Sequence, residues 1–255
     1  MSSPTWMPDG LSFEARPYSG TGWRIVEAQH YVSTMKLVDS VAEQDLLEDL
    51  LESTKPPIPP GCAGLDFLLA TPFRYGAVYP HGSRFRRAGR TLGVFYAAET
   101  PETAIAEIAF YRLLLHCETP TLPFPTNPAE FTGFSIAIRT KTAIDLTVPP
   151  FVASRKIWTA PIDCAPCQAL ADEARNAFIE LIRYQSARDP KAGTNLALLS
   201  CSAFGDPKPL ERQTWRIRVT ETGVQARREF PNLALDFAAA DFSADPRIAA
   251  RFLQS

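Results

Sequence analysis

Histidine and cysteine are scarce in this 255-residue sequence: the histidines are His30, His81 and His116, and the cysteines are Cys62, Cys117, Cys164, Cys167 and Cys201. Three dispersed histidines offer no evident general base for a serine or cysteine nucleophile. Cys164 and Cys167 have the spacing of a zinc half-site, but no second pair completes tetrahedral ligation, so no metal site is expected. The same Cys-Ala-Pro-Cys run precedes a helix-like stretch, where a redox pair would sit, and is read as packing at a helix entrance. An odd cysteine count without an export signal predicts free thiols rather than a disulfide framework. The start Met1-Ser2-Ser3-Pro4-Thr5-Trp6 lacks the basic and apolar regions of a signal peptide, and no apolar run approaches the ~20 residues of a membrane helix. A cytoplasmic protein with no membrane contact is the expectation. Excess positive charge is missing too: 26 basic against 28 acidic residues give a formal charge of −2, unlike a general nucleic-acid binder, and no direct nucleic-acid binding is expected. Without a Gly-x-Ser-x-Gly elbow, a Walker loop or a Rossmann fingerprint, an α/β-hydrolase, a P-loop NTPase and an ordinary dehydrogenase are disfavoured.

With 45% hydrophobic and 21% charged residues, the chain has the composition of a folded globular protein. Residues 1–22 carry proline, glycine and serine without apolar period and read as a loose N-terminal arm. Apolar residues at 41, 46, 47, 50 and 51 recur at helical spacing among acids, with Ser40 placed to cap, so 40–52 is a predicted amphipathic helix. The proline cluster at 56–60 ends it and divides a helical extension, 23–69, from a main body over 70–232 and a tail over 233–255. An apolar run at 92–98 followed by Thr100-Pro101-Glu102 reads as strand, capped turn and a helix over 101–115. Further strands are predicted at 131–138, 179–184, 196–200, 214–219 and 224–230, with a hairpin turn at 220–223 and a helix at 167–178. The class is therefore α+β, with a mixed, largely antiparallel sheet and flanking helices.

Between Thr71 and Ala98 there is no acidic residue, while Arg74, Arg84, Arg86, Arg87 and Arg90 lie within seventeen positions. Arginine forks match phosphate oxygens, and nearby glycines allow close backbone approach, so this is either an anion site or a solvated basic loop. Arg84, beside Phe85, and Arg74, between Phe73 and Tyr75, are the inward candidates. On the helix after this segment, Glu107 has Ala104, Phe110 and Tyr111 as helical neighbours, and a carboxylate there needs a partner. An ion pair with an upstream arginine or a catalytic role would each supply one. Tyr96, on the preceding strand, can share a pocket with Glu107, and a ring plus a carboxylate suits a planar heterocycle on a ribose. Downstream, Ser186 ends a strand and leads to Asn195. It reads as a hydrogen-bonding residue rather than a nucleophile.

Residues 73–112, with Arg84, Tyr96 and Glu107, and the later Ser186 resemble the RES domain family, named for its arginine, glutamate and serine. The resemblance spans roughly 70–205. It implies a fold similar to diphtheria-toxin-like ADP-ribosyltransferases and a bacterial toxin inhibited by an Xre-type antitoxin, with NAD+ degraded or its ADP-ribose transferred to a protein. By this resemblance Arg84 in Gly-Ser-Arg-Phe, Tyr96, Glu107 and Ser186 are the catalytic candidates, and Arg74, Arg84, Tyr96, Ser186 and Asn195 bind NAD+. The family's first arginine falls on Arg74, in the acid-free segment, or on Arg24; Arg74 is the choice here. Phe85 replaces the usual tryptophan and Arg86 the asparagine after it. Cleaving the nicotinamide–ribose bond passes through an oxocarbenium-like centre that a carboxylate stabilises, the role assigned to Glu107. Arg84 and Arg74 would hold the pyrophosphate, Tyr96 would stack on nicotinamide, and Ser186 would bond the ribose or a phosphate. Water, phosphate or a protein side chain could accept the ADP-ribose. Mono-ADP-ribosylation of a host protein and non-catalytic nucleotide binding are the alternatives.

Overall fold

The computed structural model describes residues 6–28, 37–75, 82–89 and 92–252; His30, His81 and Arg90 lie outside these. The architecture is α+β, built on one eight-stranded mixed sheet. Its spine is β3 (Ala129–Asp145), long enough to serve two groups of strands. One edge of β3 pairs antiparallel with β1 (Arg16–Glu27). The other pairs antiparallel with β6 (Glu211–Val219) at 129–135 and parallel with β4 (Leu181–Gln185) at 143–145. From β4 the sheet runs through β5 (Thr194–Leu198) and β2 (Phe95–Ala98) back to β1, closing a five-strand ring. From β6 it continues antiparallel through β7 (Gly223–Arg228) and β8 (Leu233–Ala238).

Burial explains which residues form these strands. Leu196 and Leu198 of β5 pack in one apolar cluster with Phe95, Ile136 and Ile138, while Ala197 faces a second cluster with Ile182 and Tyr184. A strand buried on both faces reads as a continuous apolar run rather than an alternation. Inside the ring, a side chain at Gly22 of β1 would press on Ala97, Ile138 and Leu196, so glycine lets four strands converge. A third cluster joins β6, β7 and β8 to α4 (Pro101–Glu118), which buries Ala104, Ile105, Ala109, Phe110 and Leu113. Thr100 caps α4 by accepting from the Thr103 amide at 3.2 Å, and Pro101 occupies the first turn, where its missing donor costs nothing. α6 (Ala165–Asn176) packs on the second cluster through Cys167, Leu170, Ala171 and Ala174.

α2 (Val41–Ser53) forms where its apolar spacing predicts, with Ser40 Oγ accepting from the Glu43 amide. The N-terminal arm does not. Residues 8–14 form α1 (Pro8–Glu14), whose Leu11 is fully buried, and β1 begins at Arg16. β1 lacks apolar alternation because its main chain, laddered to β3 over most of its length, fixes it rather than one apolar face. Since β1 belongs to the central ring, 23–69 is not a separate extension. Nor is 233–255 a tail: Leu233, Leu235 and Phe237 alternate inward along β8, and Phe242 and, from α7 (Pro246–Phe252), Ile248 fill the core beside α4. The expectation of free thiols holds for Cys117, Cys164 and Cys167, but Cys62 and Cys201 form a disulfide with Cα atoms 5.3 Å apart. The two positions are 139 residues apart, so only the fold brings them together.

Candidate active site

Where β1, β2, β4 and β5 meet α4, a cleft of about 260 Å³ opens, walled by Trp23, Arg24, Arg84, Tyr96, Glu107, Arg188 and Asn195 among others. Glu107 is half-buried on α4, and its Oε1 accepts from Ser186 Oγ and Asn195 Nδ2, both at 2.6 Å. Both donors are neutral, and Oε2 of Glu107 has no hydrogen-bond partner among the described residues.

The loop between β4 and β5 sets this geometry. Ser186 Oγ accepts from the amides of Arg188 and Asp189 at 3.0 and 2.9 Å, which leaves the hydroxyl proton directed to Glu107. Asp189 in turn accepts from Thr103 Oγ1 at 2.8 Å and from the Gly193 amide at 3.2 Å, tying the loop to the first turn of α4. Asn195 follows directly on β5, opposite Tyr184 of β4. Ser186 is 2% exposed, and its hydroxyl has three partners. The hydroxyl expected to bond the ribose or a phosphate is thus engaged by Glu107 and two main-chain amides.

Arg84 sits in a tight turn closed by Ser83 and Arg86, whose amides and carbonyls pair with each other. Tyr96 holds this turn: its hydroxyl lies 2.8 Å from Ser83 Oγ and accepts from the Phe85 amide at 3.0 Å. Burial pushes the Tyr96 phenol up to about 12, so it stays protonated as a fixed neutral ring. Arg84 donates to the carbonyls of Trp158 and Ala160 at 2.7 and 3.0 Å. Arg24 donates to the Tyr96 carbonyl at 3.0 Å and lies 4.8 Å over the Phe95 ring. Neither has a carboxylate partner among the described residues, and burial pulls the Arg24 guanidinium down to about 10. Two cations with no carboxylate partner among the described residues, beside the Glu107 carboxylate, make a pocket suited to a ligand that carries anionic groups and a polar centre.

Arg74 does not share this pocket. It ends α3 (Phe67–Arg74), pairs with Glu52 of α2 and donates to the Pro56 carbonyl. Its place in the cleft is taken by Arg24, the alternative for the first arginine, because β1 is a ring strand. Cys164 stands at the start of α6 without a side-chain cap bond, and Cys167 is fully buried against Arg84 and Trp158, its thiol pushed up to about 11 by burial. That is packing rather than redox chemistry.

The RES domain family model matches residues 58–220, well over half of the chain. The chain belongs to the RES domain family. No curated protein matches the sequence. Among solved structures, a chain from the crystal structure of the M. tuberculosis MbcT–MbcA toxin–antitoxin complex is similar, at 13% identity and a TM-score of 0.45, covering 92% of this chain and 96% of that one. The matched span of this RES domain contains Arg84, Tyr96, Glu107, Ser186 and Asn195. Trp23 and Arg24 precede it, and Arg188, within it, lines the cleft without having been a sequence candidate. Its signal was slight: an arginine two positions after a serine in a polar loop.

Proposed function

We propose that this RES domain cleaves the nicotinamide–ribose bond of NAD+ and acts as the toxin of a toxin–antitoxin pair. The observation that carries the chemistry is Glu107, with Oε1 bound by Ser186 and Asn195 and, among the described residues, no partner on Oε2, in a cleft that also holds two arginines with no carboxylate partner among those residues. Arg24 and Arg84 take the pyrophosphate, and Tyr96 and Trp23 form the apolar wall for the nicotinamide ring. As the C–N bond breaks, its electron pair returns to the ring nitrogen, nicotinamide leaves neutral, and positive charge builds on the ribose. The Glu107 carboxylate near that centre stabilises the charge in the transition state more than in the ground state. An acceptor oxygen then bonds to the ribose carbon and releases its proton. Family membership supports the toxin role and, with it, an Xre-type antitoxin as partner.

Product analysis tests this reading. Purified protein incubated with NAD+ labelled in the adenylate should yield nicotinamide together with ADP-ribose, its 1-phosphate in phosphate buffer, or a labelled protein band when cell lysate is added. Each product names the acceptor. No nicotinamide under any of the three conditions would contradict NAD+ cleavage and favour a nucleotide-binding module.

A further inference from the structure

The cleft draws on a part of the chain outside the family match. Arg188 lines it with a side chain only 9% exposed, and three contacts fix its guanidinium. Nη1 donates to Asp245 Oδ2 at 3.0 Å, Nη2 donates to the Pro161 carbonyl, and the guanidinium carbon lies 3.8 Å over the Phe110 ring, on the helix that carries Glu107. Asp245 is 1% exposed and lies just before α7, beyond residue 220. A carboxylate is costly to bury alone, and this one also accepts from the Arg247 side chain, with Nη2 at 2.8 Å and Nε at 3.0 Å. Arg247 also pairs with Glu118 Oε1 at 3.3 Å, so Arg188 and Arg247 share Asp245 within a cluster of two guanidinia and two carboxylates.

We infer that Arg188 is a third anion-binding residue of the substrate cleft and that Asp245, from the C-terminal segment, is the positioning residue that holds it there. This rests on the NAD+ reading above. A brace that joined the 186–193 loop to α7 would not need its arginine in the cleft wall, whereas a binding arginine held by packing, a carbonyl and a carboxylate is preorganised for a phosphate or ribose oxygen. An arginine that binds substrate and transition state alike changes KM and leaves kcat nearly alone.

The test is a double-mutant cycle read in steady-state nicotinamide release by the full-length protein, with Asp245→Asn, Arg188→Met and the double variant. Each single change is expected to raise KM for NAD+ about tenfold with kcat within about twofold, and Asp245→Asn is expected to add nothing once Arg188 is gone. Unchanged KM in Asp245→Asn, or additive effects in the double variant, would overturn the assignment even if thermal stability falls, because a brace lowers stability without this coupling. A wild type that releases no nicotinamide would overturn the NAD+ reading, and this assignment with it, before any variant is compared.

Discussion

In the proposed reaction Glu107 carries the chemistry through a division of labour between its two oxygens. Oε1 is fixed by Ser186 and Asn195, and Oε2 has no partner among the described residues. Asn195→Ala removes one of two 2.6 Å bonds and lets the carboxylate turn, so kcat should fall roughly tenfold at nearly constant KM. A rise in KM alone would mean that Asn195 holds substrate instead. Glu107, Tyr96 and Arg84 were legible in the sequence because each is an anomaly in its local pattern: an acid among apolar helical neighbours, a tyrosine in a short strand, an arginine in an acid-free run. Arg74 and Arg24 satisfy the same chemical description, and nothing in sequence spacing tells that one faces the cleft and the other a neighbouring helix. The serine was legible as a site position, but its role was not, since the amides of 188 and 189 occupy its oxygen only in the folded loop.

At the scale of elements, the loop from Ser186 to Gly193 decides whether Ser186 and Asn195 reach Glu107 together. A side chain at Gly193 would collide with Thr103 Oγ1 and Asp189 Oδ2, the pair that ties the loop to α4. Gly193→Ala should therefore cost about 1–3 kcal/mol in urea denaturation and lower kcat in proportion to the displaced loop. Wild-type stability in this variant would show that the loop yields freely. Among the described residues, six of the eight strands and three of the seven α-helices were readable from period and capping, α2 and α4 with their caps among them. β1 and β8 were not. β1 is fixed by main-chain pairing on β3 and has a glycine where a ring strand turns inward, and β8 follows a proline-marked turn that looks like the end of the fold.

Across the whole molecule, charge networks brace the ring internally, half-buried, and tie it to the C-terminal segment through the buried Arg188–Asp245 pair. Arg183 bonds Glu99 through Nε and Nη2 at 2.7 and 2.8 Å and Asp145 through Nη1 at 2.8 Å, and Asp245 joins Arg188 to Arg247. For both Glu99 and Asp245 burial alone raises the carboxyl pKa, but hydrogen bonds and charge from the arginines hold it below the ordinary values of 4.5 and 3.8. A depressed folded-state pKa contributes stability above the unfolded value, and this is lost as pH falls through the folded one. Thermal midpoints should stay level from about pH 7 to 5 and drop below about pH 4; a drop already at pH 6 would point to other groups. The Cys62–Cys201 bridge closes the longest loop of the fold that any covalent bond spans, and its pairing follows from the arrangement of β5 and α3, not from cysteine spacing. Denatured, unreduced protein should therefore titrate as three thiols from Cys117, Cys164 and Cys167, and five would contradict the bridge.

The central claim is that one carboxylate on α4, set by two neutral donors, drives breakage of the nicotinamide–ribose bond. The most direct measurement is the initial rate of nicotinamide release from NAD+ by the wild type and by Glu107→Gln at equal folded concentration. Glutamine keeps the shape and removes the charge, so the rate should fall by at least ~10²-fold with the unfolding midpoint unchanged. Comparable rates in the two proteins would contradict the account.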